Sequence, residues 1–314
     1  MSRKLVIIAV GGNSLIIDKN HQTVPDQYAA VAGTARRVAA LIEKGYRVVV
    51  THGNGPQVGF ILLRSELARK QIHPVPLDSC VADTQGAIGY NFQMAFYNEF
   101  KRRGINIPVS TVITQVVVDR HDSAFKKPAK PIGLFYSHDE AKVRMERDGW
   151  DMAEDAGRGW RRVVASPSPK EIVELETIRN LISRGEVVIA VGGGGIPVTR
   201  DTRGNLHGVE AVIDKDLASA LLASELGAEA FLISTAVDRV YLDYNKPDQK
   251  GLDKTDLKSI KRYIKDGHFK PGSMLPKIQA VVSFLERGGK KAIITDPDNI
   301  ELAVAGKAGT SITR

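Results

Sequence analysis

Three apolar runs in this chain each end on glycine, and that repeated junction restricts the fold more than any other feature. Residues 4–10 lead into Gly11-Gly12-Asn13, residues 46–51 into His52-Gly53-Asn54-Gly55, and residues 186–191 into four consecutive glycines at 192–195. The runs are rich in β-branched residues and lack polar alternation, the pattern of strands buried on both faces. Helical periodicity is expected over 26–44, 56–69, 80–103, 170–183, 214–226 and 274–286, and further strands over 107–113, 230–234 and 290–295. Strands alternating with helices in this way predict an α/β fold, a three-layer αβα sandwich around a mainly parallel sheet.

Two stretches depart from that rhythm. Residues 119–160 carry the cluster Lys126, Lys127, Pro128, Lys130 and Pro131 without a clear core pattern, so they read as a protruding subdomain or lid. Residues 197–208 hold Asp201, Arg203, Gly204 and Asn205 between short polar strands and resemble a hairpin. The expected organisation is a single domain over 1–314. Its N-terminal half would run to about 170 and include the lid, and its C-terminal half would cover 171–314.

Composition removes several function classes. With 43% hydrophobic and 25% charged residues in 314, disorder is excluded. The first apolar run is too short to span a membrane and lacks a signal-peptide cleavage pattern, and Cys80 has no internal disulfide partner. A cytoplasmic protein with no membrane partner is the expectation. The net charge of +8 invites a nucleic-acid reading, but basic residues are interleaved with acids and aromatic residues make up only 6%. The basic stretch 254–270, broken by Asp256 and Asp266, reads as a solvated helix face. No nucleic-acid partner is expected.

Glycine turns at the carboxyl ends of parallel strands gather along one sheet edge, where such folds bind ligands. There the backbone can approach phosphate oxygens, and following helix N-termini add positive potential. A single turn is as well explained by tight geometry alone; three together favour a phosphate-handling edge. No G-x-x-x-x-G-K-[ST] loop and no protein-kinase motif set is present. The approximate dinucleotide pattern Gly53, Gly55, Gly59 has Val58 where the third glycine belongs. Cations other than a P-loop lysine would therefore face a phosphate held at this edge. Lys215 lies between Asp214 and Asp216 at an expected helix start, and Lys277 follows Gly272-Ser273-Met274-Leu275-Pro276 at another. The plainer alternative is that Asp214 caps its helix and Lys215 is solvated. No histidine pair has metal-ligand spacing, so no protein metal site is expected, and His52 reads as structural.

The ordered series Gly11-Gly12-Asn13, residues 51–59 and residues 192–197 resembles the amino-acid kinase family. Residues 130–136, 155–162, 208–216 and 272–277 resemble its carbamate kinase branch, and the resemblance runs to about residue 300. It implies magnesium-dependent transfer between ATP and carbamate, giving ADP and carbamoyl phosphate. Lys215 and Lys277 would bracket the phosphoryl group and Asp214 would organise them, with Lys130, and more loosely Lys127, reaching in from the lid. Amides of Gly11, Gly12, Asn13, Gly53, Asn54 and Gly55 would hold carbamate. Gly193, Gly194, Ser234, Ala236, Val237, Asp238, Tyr244, Pro271, Ser273 and Met274 would serve the nucleotide, whose phosphates would carry the magnesium ion. A homodimer is also implied. Another branch acting on acetylglutamate or UMP, and a non-catalytic nucleotide sensor, remain as alternatives.

Overall fold

The structure is a computed structural model and describes residues 4–11, 15–16, 20–155 and 159–314. β1 (Leu5–Val10) is buried along its whole length. It leads to α1 (Val24–Glu43), whose start is fixed by a capping box in which Thr23 and Asp26 each accept the other's backbone amide. β2 (Arg47–His52), α2 (Gly55–Ala68) and α3 (Leu77–Arg103) follow, then the short strands β3 (Val109–Thr111) and β4 (Gln115–Val118). Next come β5 (Lys130–Tyr136), α4 (His138–Asp148), β6 (Met152–Glu154) and β7 (Trp160–Val164). The chain continues with β8 (Pro169–Ile172), α5 (Leu175–Ser183), β9 (Val187–Ile189), β10 (Ile196–Arg200), β11 (Leu206–Gly208), α6 (Lys215–Glu225) and β12 (Ala230–Ser234). It ends with β13 (Val240–Leu242), β14 (Lys250–Leu252), β15 (Lys254–Asp256), α7 (Leu257–Lys265), α8 (Met274–Glu286), β16 (Lys291–Thr295), α9 (Ile300–Val304) and β17 (Thr310–Thr313).

Alternation along the strands builds the layers. In β1, Val6, Ile8 and Val10 enter an apolar core with α1 and α3, while Leu5, Ile7 and Ala9 enter another with α5, α6 and α8. Val48 and Val50 against Val49, and Leu232 against Phe231 and Ile233, divide in the same way. The sheet is therefore the middle of three layers, as expected. Among the described residues its order is β15–β17–β16–β12–β1–β2–β9–β3, parallel throughout except for the β16–β17 pair. β9, from beyond residue 170, sits between β2 and β3, so the two sequence halves interlock rather than abut.

The expected hairpin is present as β10–β11. The helix expected over 170–183 begins only at Leu175, because residues 169–172 pair with β4 as β8. The protruding subdomain is the sheet β5–β7–β6 with α4, so it spans 130–164 rather than 119–160. It docks on α2 and α3 through Ile132 and Val164, which pack with Val58 of α2 and with Leu77 and Val81 of α3. Its outer end is tied down at Asp148, whose carboxylate takes Arg69 at 2.9 Å, Arg144 at 3.0 Å and Arg147 at 2.8 Å. Arg144 also reaches Glu66 of α2 at 2.6 Å. The phenylalanines of α3 resolve as core: Phe92, Phe96 and Phe100 face inward.

Phe231 and Phe284 meet edge to face at 5.6 Å with no exposure, joining the sheet to α8 beneath Lys277. Phe231→Ala is expected to cost about 3–5 kcal/mol, read from the urea midpoint at constant slope. A loss under about 1 kcal/mol would mean that this contact does not carry the packing.

Candidate active site

β1, β2, β9 and β12 are parallel neighbours, so their carboxyl ends and the segments after them share one edge. The N-terminus of α6 points a cluster of charges to that edge. Asp214 is its N-cap: Oδ1 accepts the amides of Asp216 at 2.9 Å and Leu217 at 3.4 Å. Its Oδ2 accepts Lys130 Nζ at 2.9 Å, which brings the first residue of β5 down from the subdomain. Asp216 is the carboxylate between the other two cations. It accepts Lys215 Nζ at 2.5 Å and Lys277 Nζ at 2.9 Å, and is itself only 4% exposed.

The structure thus brings Lys130, Lys215, Lys277 and Asp214 together, but the organising role expected of Asp214 falls to Asp216. Asp214 gives one oxygen to the helix amides and the other to Lys130, and hydrogen-bonds neither Lys215 nor Lys277, acting on Lys215 only through its charge. Burial works against an ionised Asp216, yet the ammonium groups of Lys215 and Lys277 outweigh it and hold the carboxyl well below the usual range. Burial likewise pushes the Lys215 ammonium down, opposed by Asp216 and reinforced by Lys277. Lys127 lies on the exposed surface of the preceding loop and is not joined to this cluster.

The glycine turns divide their tasks in a way that the sequence did not reveal. The amide of Gly11 donates to Ser234 at 3.1 Å and that of Gly53 to Val10 at 2.9 Å, prolonging the sheet ladder, so neither is available to an anion. Gly12 and Asn13 lie outside the described residues. Asn54 caps α2 by position, and the first-turn amides of Gly55 and Gln57 have no acceptor within the helix. Those amides, rather than Gly11 and Gly53, are suited to an anion. Residues 192–195 are buried, and their glycines are required by close approach: a Cβ on Gly193, at φ +68°, would meet the Asn54 side chain, and one on Gly194, at φ +95°, would lie 2.5 Å from the Ile213 carbonyl. For Gly193 and Gly194, packing explains the residue without a nucleotide.

A family model for the amino acid kinase family matches residues 4–296. The chain belongs to that family. It is 49% identical to the carbamate kinase-like protein YahI of Escherichia coli over 99% of both chains. It is 47% identical to the carbamate kinase of Thermococcus kodakarensis, again over 99% of each. Among solved structures, the carbamate kinase of Giardia lamblia bound to AMP-PNP superposes with a TM-score of 0.93 at 42% identity, covering 100% of this chain and 99% of that one.

In this amino acid kinase fold a second recess lies beside the lysines. It is a cleft lined by Thr235, Ala236, Val237, Tyr241, Tyr244, Phe269, Ser273, Met274 and Lys277 among others. Five of the residues expected at the nucleotide are in it: Ala236, Val237, Tyr244, Ser273 and Met274. Pro271 and Asp238 do not line it; Asp238 instead accepts the Tyr241 hydroxyl at 2.7 Å and Arg239 at 2.9 Å. Ser234 is buried at the end of β12, just before the cleft. Asp243, Lys246 and His268, which the sequence reading did not single out, also line the cleft. Asp243 holds Lys246 at 2.6 Å and lies 2.8 Å from His268, at a left-handed φ of +50°. A non-glycine residue in that conformation gives no sequence signal.

Behind the turns, His52 stacks on Phe92 with ring centroids 6.1 Å apart and lies 3.0 Å from the Gly53 carbonyl. Burial pushes its imidazole down to about 4, and the charge of Lys215 adds to this. The unfolded chain therefore takes up this proton near pH 6.5 and the folded chain only near 4. Stability should be whole above about pH 6.5 and fall by on the order of 3 kcal/mol as pH drops through that window. Urea titrations at pH 7 and pH 4 should show this loss in the wild type and a smaller one in His52→Gln. Equal losses would remove His52 as the titrating group.

Proposed function

We propose that the chain is a carbamate kinase, catalysing ATP + carbamate ⇌ ADP + carbamoyl phosphate. The observation that carries the reading is the buried Lys215–Asp216–Lys277 clamp beside the cleft, with Lys130 joined to it through Asp214. Full-length identity of 46–49% to several carbamate kinases and carbamate kinase-like proteins supports this substrate over acetylglutamate or UMP. A non-catalytic sensor would have no need to retain both Lys215 and Lys277 on one carboxylate.

Phosphoryl transfer needs alignment, fixed positive charge and exclusion of water more than covalent chemistry. ATP would occupy the cleft with its base side against Val237, Tyr244 and Met274 and its phosphates toward Lys277. Carbamate would lie at the first turn of α2, and its anionic oxygen would attack the γ-phosphorus as the bond to the ADP oxygen breaks. No general base is required, because that oxygen carries no proton to remove. Lys215 and Lys277 would spread the charge that develops on the phosphoryl oxygens, and Lys130 would exchange Asp214 for substrate. Magnesium would enter on the nucleotide phosphates, lowering their charge. The C-terminal half would thus supply the nucleotide site, and the N-terminal half with its subdomain the carbamate site.

Two further parts of the reading concern the setting. The buried Cys80 thiol, pushed up to about 11 chiefly by burial, suits a reducing cytoplasm. A homodimer would use the outer face of α3, where Tyr90 and Tyr97 stand 61% and 66% exposed two turns apart. Tyr90→Glu with Tyr97→Glu should halve the mass in solution by light scattering, while an unchanged mass would rule out this face.

The decisive assay follows ATP formed from ADP and carbamoyl phosphate, with and without a chelator, beside UMP and acetylglutamate as acceptors from ATP. Lys215→Ala and Lys277→Ala should each lower turnover by on the order of a hundredfold or more. Wild-type turnover in both variants, or phosphorylation of UMP or acetylglutamate in place of carbamate, would overturn the assignment.

A further inference from the structure

A site built from lysines and helix amides offers only donors. It satisfies the oxygens of a carboxylate or phosphate, but it cannot distinguish carbamate from acetate, which has a methyl group in place of the amine. Discrimination needs an acceptor. Both oxygens of Asp216 are held by Lys215 and Lys277 and Asp214 Oδ1 by the amides of α6, which leaves Asp214 Oδ2 as an acceptor in the cluster only once Lys130 has left it.

One other acceptor stands at the same edge. Gln57, on the first turn of α2, is 7% exposed, and its Oε1 has no partner among the described residues. The orientation of its amide is set by a relay through α1. Gln27 Nε2 donates to the Gln22 carbonyl at 2.9 Å, which turns Gln27 Oε1 to accept Gln57 Nε2 at 3.1 Å. Gln57 Oε1 is thereby left as an unpaired acceptor on the first turn of α2, the turn whose Gly55 and Gln57 amides have no acceptor within the helix. A buried carbonyl of this kind is costly unless a donor reaches it.

We propose that Gln57 Oε1 accepts a hydrogen bond from the amine of the carbamoyl group and is the residue that selects carbamate over carboxylates of the same size. The proposal rests on the carbamate kinase reading. Acetyl phosphate, which has a methyl group where carbamoyl phosphate has its amine, is the probe, used as phosphoryl donor to ADP or as inhibitor of carbamoyl phosphate turnover. The wild type should favour carbamoyl phosphate by at least about tenfold in kcat/KM or in binding. Gln57→Met, of similar volume, should collapse that preference by about tenfold through carbamoyl phosphate alone, with KM for ADP unchanged. Gln57→Glu, which keeps an acceptor, should retain the preference even where its overall rate falls. An equal loss with both phosphates, an unchanged ratio in Gln57→Met, or a wild type that binds both alike would overturn the proposal. The wild-type comparison stands even where Gln57→Met does not fold. Absence of wild-type turnover with carbamoyl phosphate would instead overturn the underlying kinase assignment.

Discussion

The site depends on one buried carboxylate. Two ammonium groups cannot be held close together out of water without an anion between them, since each costs several kcal/mol to desolvate and they repel one another. Asp216 meets that requirement by giving one oxygen to Lys215 and the other to Lys277. The fold in turn holds Asp216 where both can reach it. Thr51 at the end of β2 lies 2.6 Å from Ser219 on α6, whose hydroxyl donates to the Lys215 carbonyl at 2.7 Å. α8 packs against the same face and brings Lys277 from 61 residues away. On the proposed reading, the charge pattern that would meet a phosphoryl group is therefore assembled before any substrate arrives, so little reorganisation would remain for the reaction itself.

The glycine turns serve that assembly more than they serve a ligand directly. The stretch at 192–195 lets β9 end against the Asn54 and His52 side chains without a Cβ between them. Gln85 of α3 closes the arrangement from behind, donating to the carbonyls of Thr114 and Gly192 at 3.0 and 2.9 Å and accepting the Thr114 amide at 2.7 Å. Each of these groups around Gln85 is matched by another, which ties α3 to the turn after β9 and to the residue before β4.

This arrangement explains what was legible in the sequence and what was not. The layers were legible because Leu5 to Val10, Val48 to Val50 and Phe231 to Ile233 carry uninterrupted apolar side chains, and only a sheet covered on both faces can use them. The cationic residues were legible through their motifs and their places at helix starts. The division of labour between Asp214 and Asp216 was not. Both are acidic, both lie within one helical turn of Lys215, and only the direction of each carboxylate separates capping from clamping. The amides of Gly11 and Gly53 were misjudged for a related reason: glycine after a strand announces room for an anion and equally a strand that runs on by one more ladder bond. Residues 170–172 read as helix because no local pattern discloses that β4 needs an antiparallel neighbour.

The same physics sets how the subdomain is held. At its outer end Asp148 is 5% exposed and shared by three arginines, a cluster whose members support one another. At its inner end the only ion pair to α6 among the described residues is Lys130–Asp214, a single contact with the lysine side chain 36% exposed. A solvated single pair contributes at most about 1 kcal/mol. An arriving anion can therefore take Lys130 from Asp214 at little cost while the outer cluster stays whole, and Asp214 still has its helix amides to satisfy it. The subdomain is anchored by the arginine cluster and by buried Ile132 and Val164, while the Lys130 ammonium is held by one pair, so on the proposed reading Lys130 would answer to substrate without the fold having to yield.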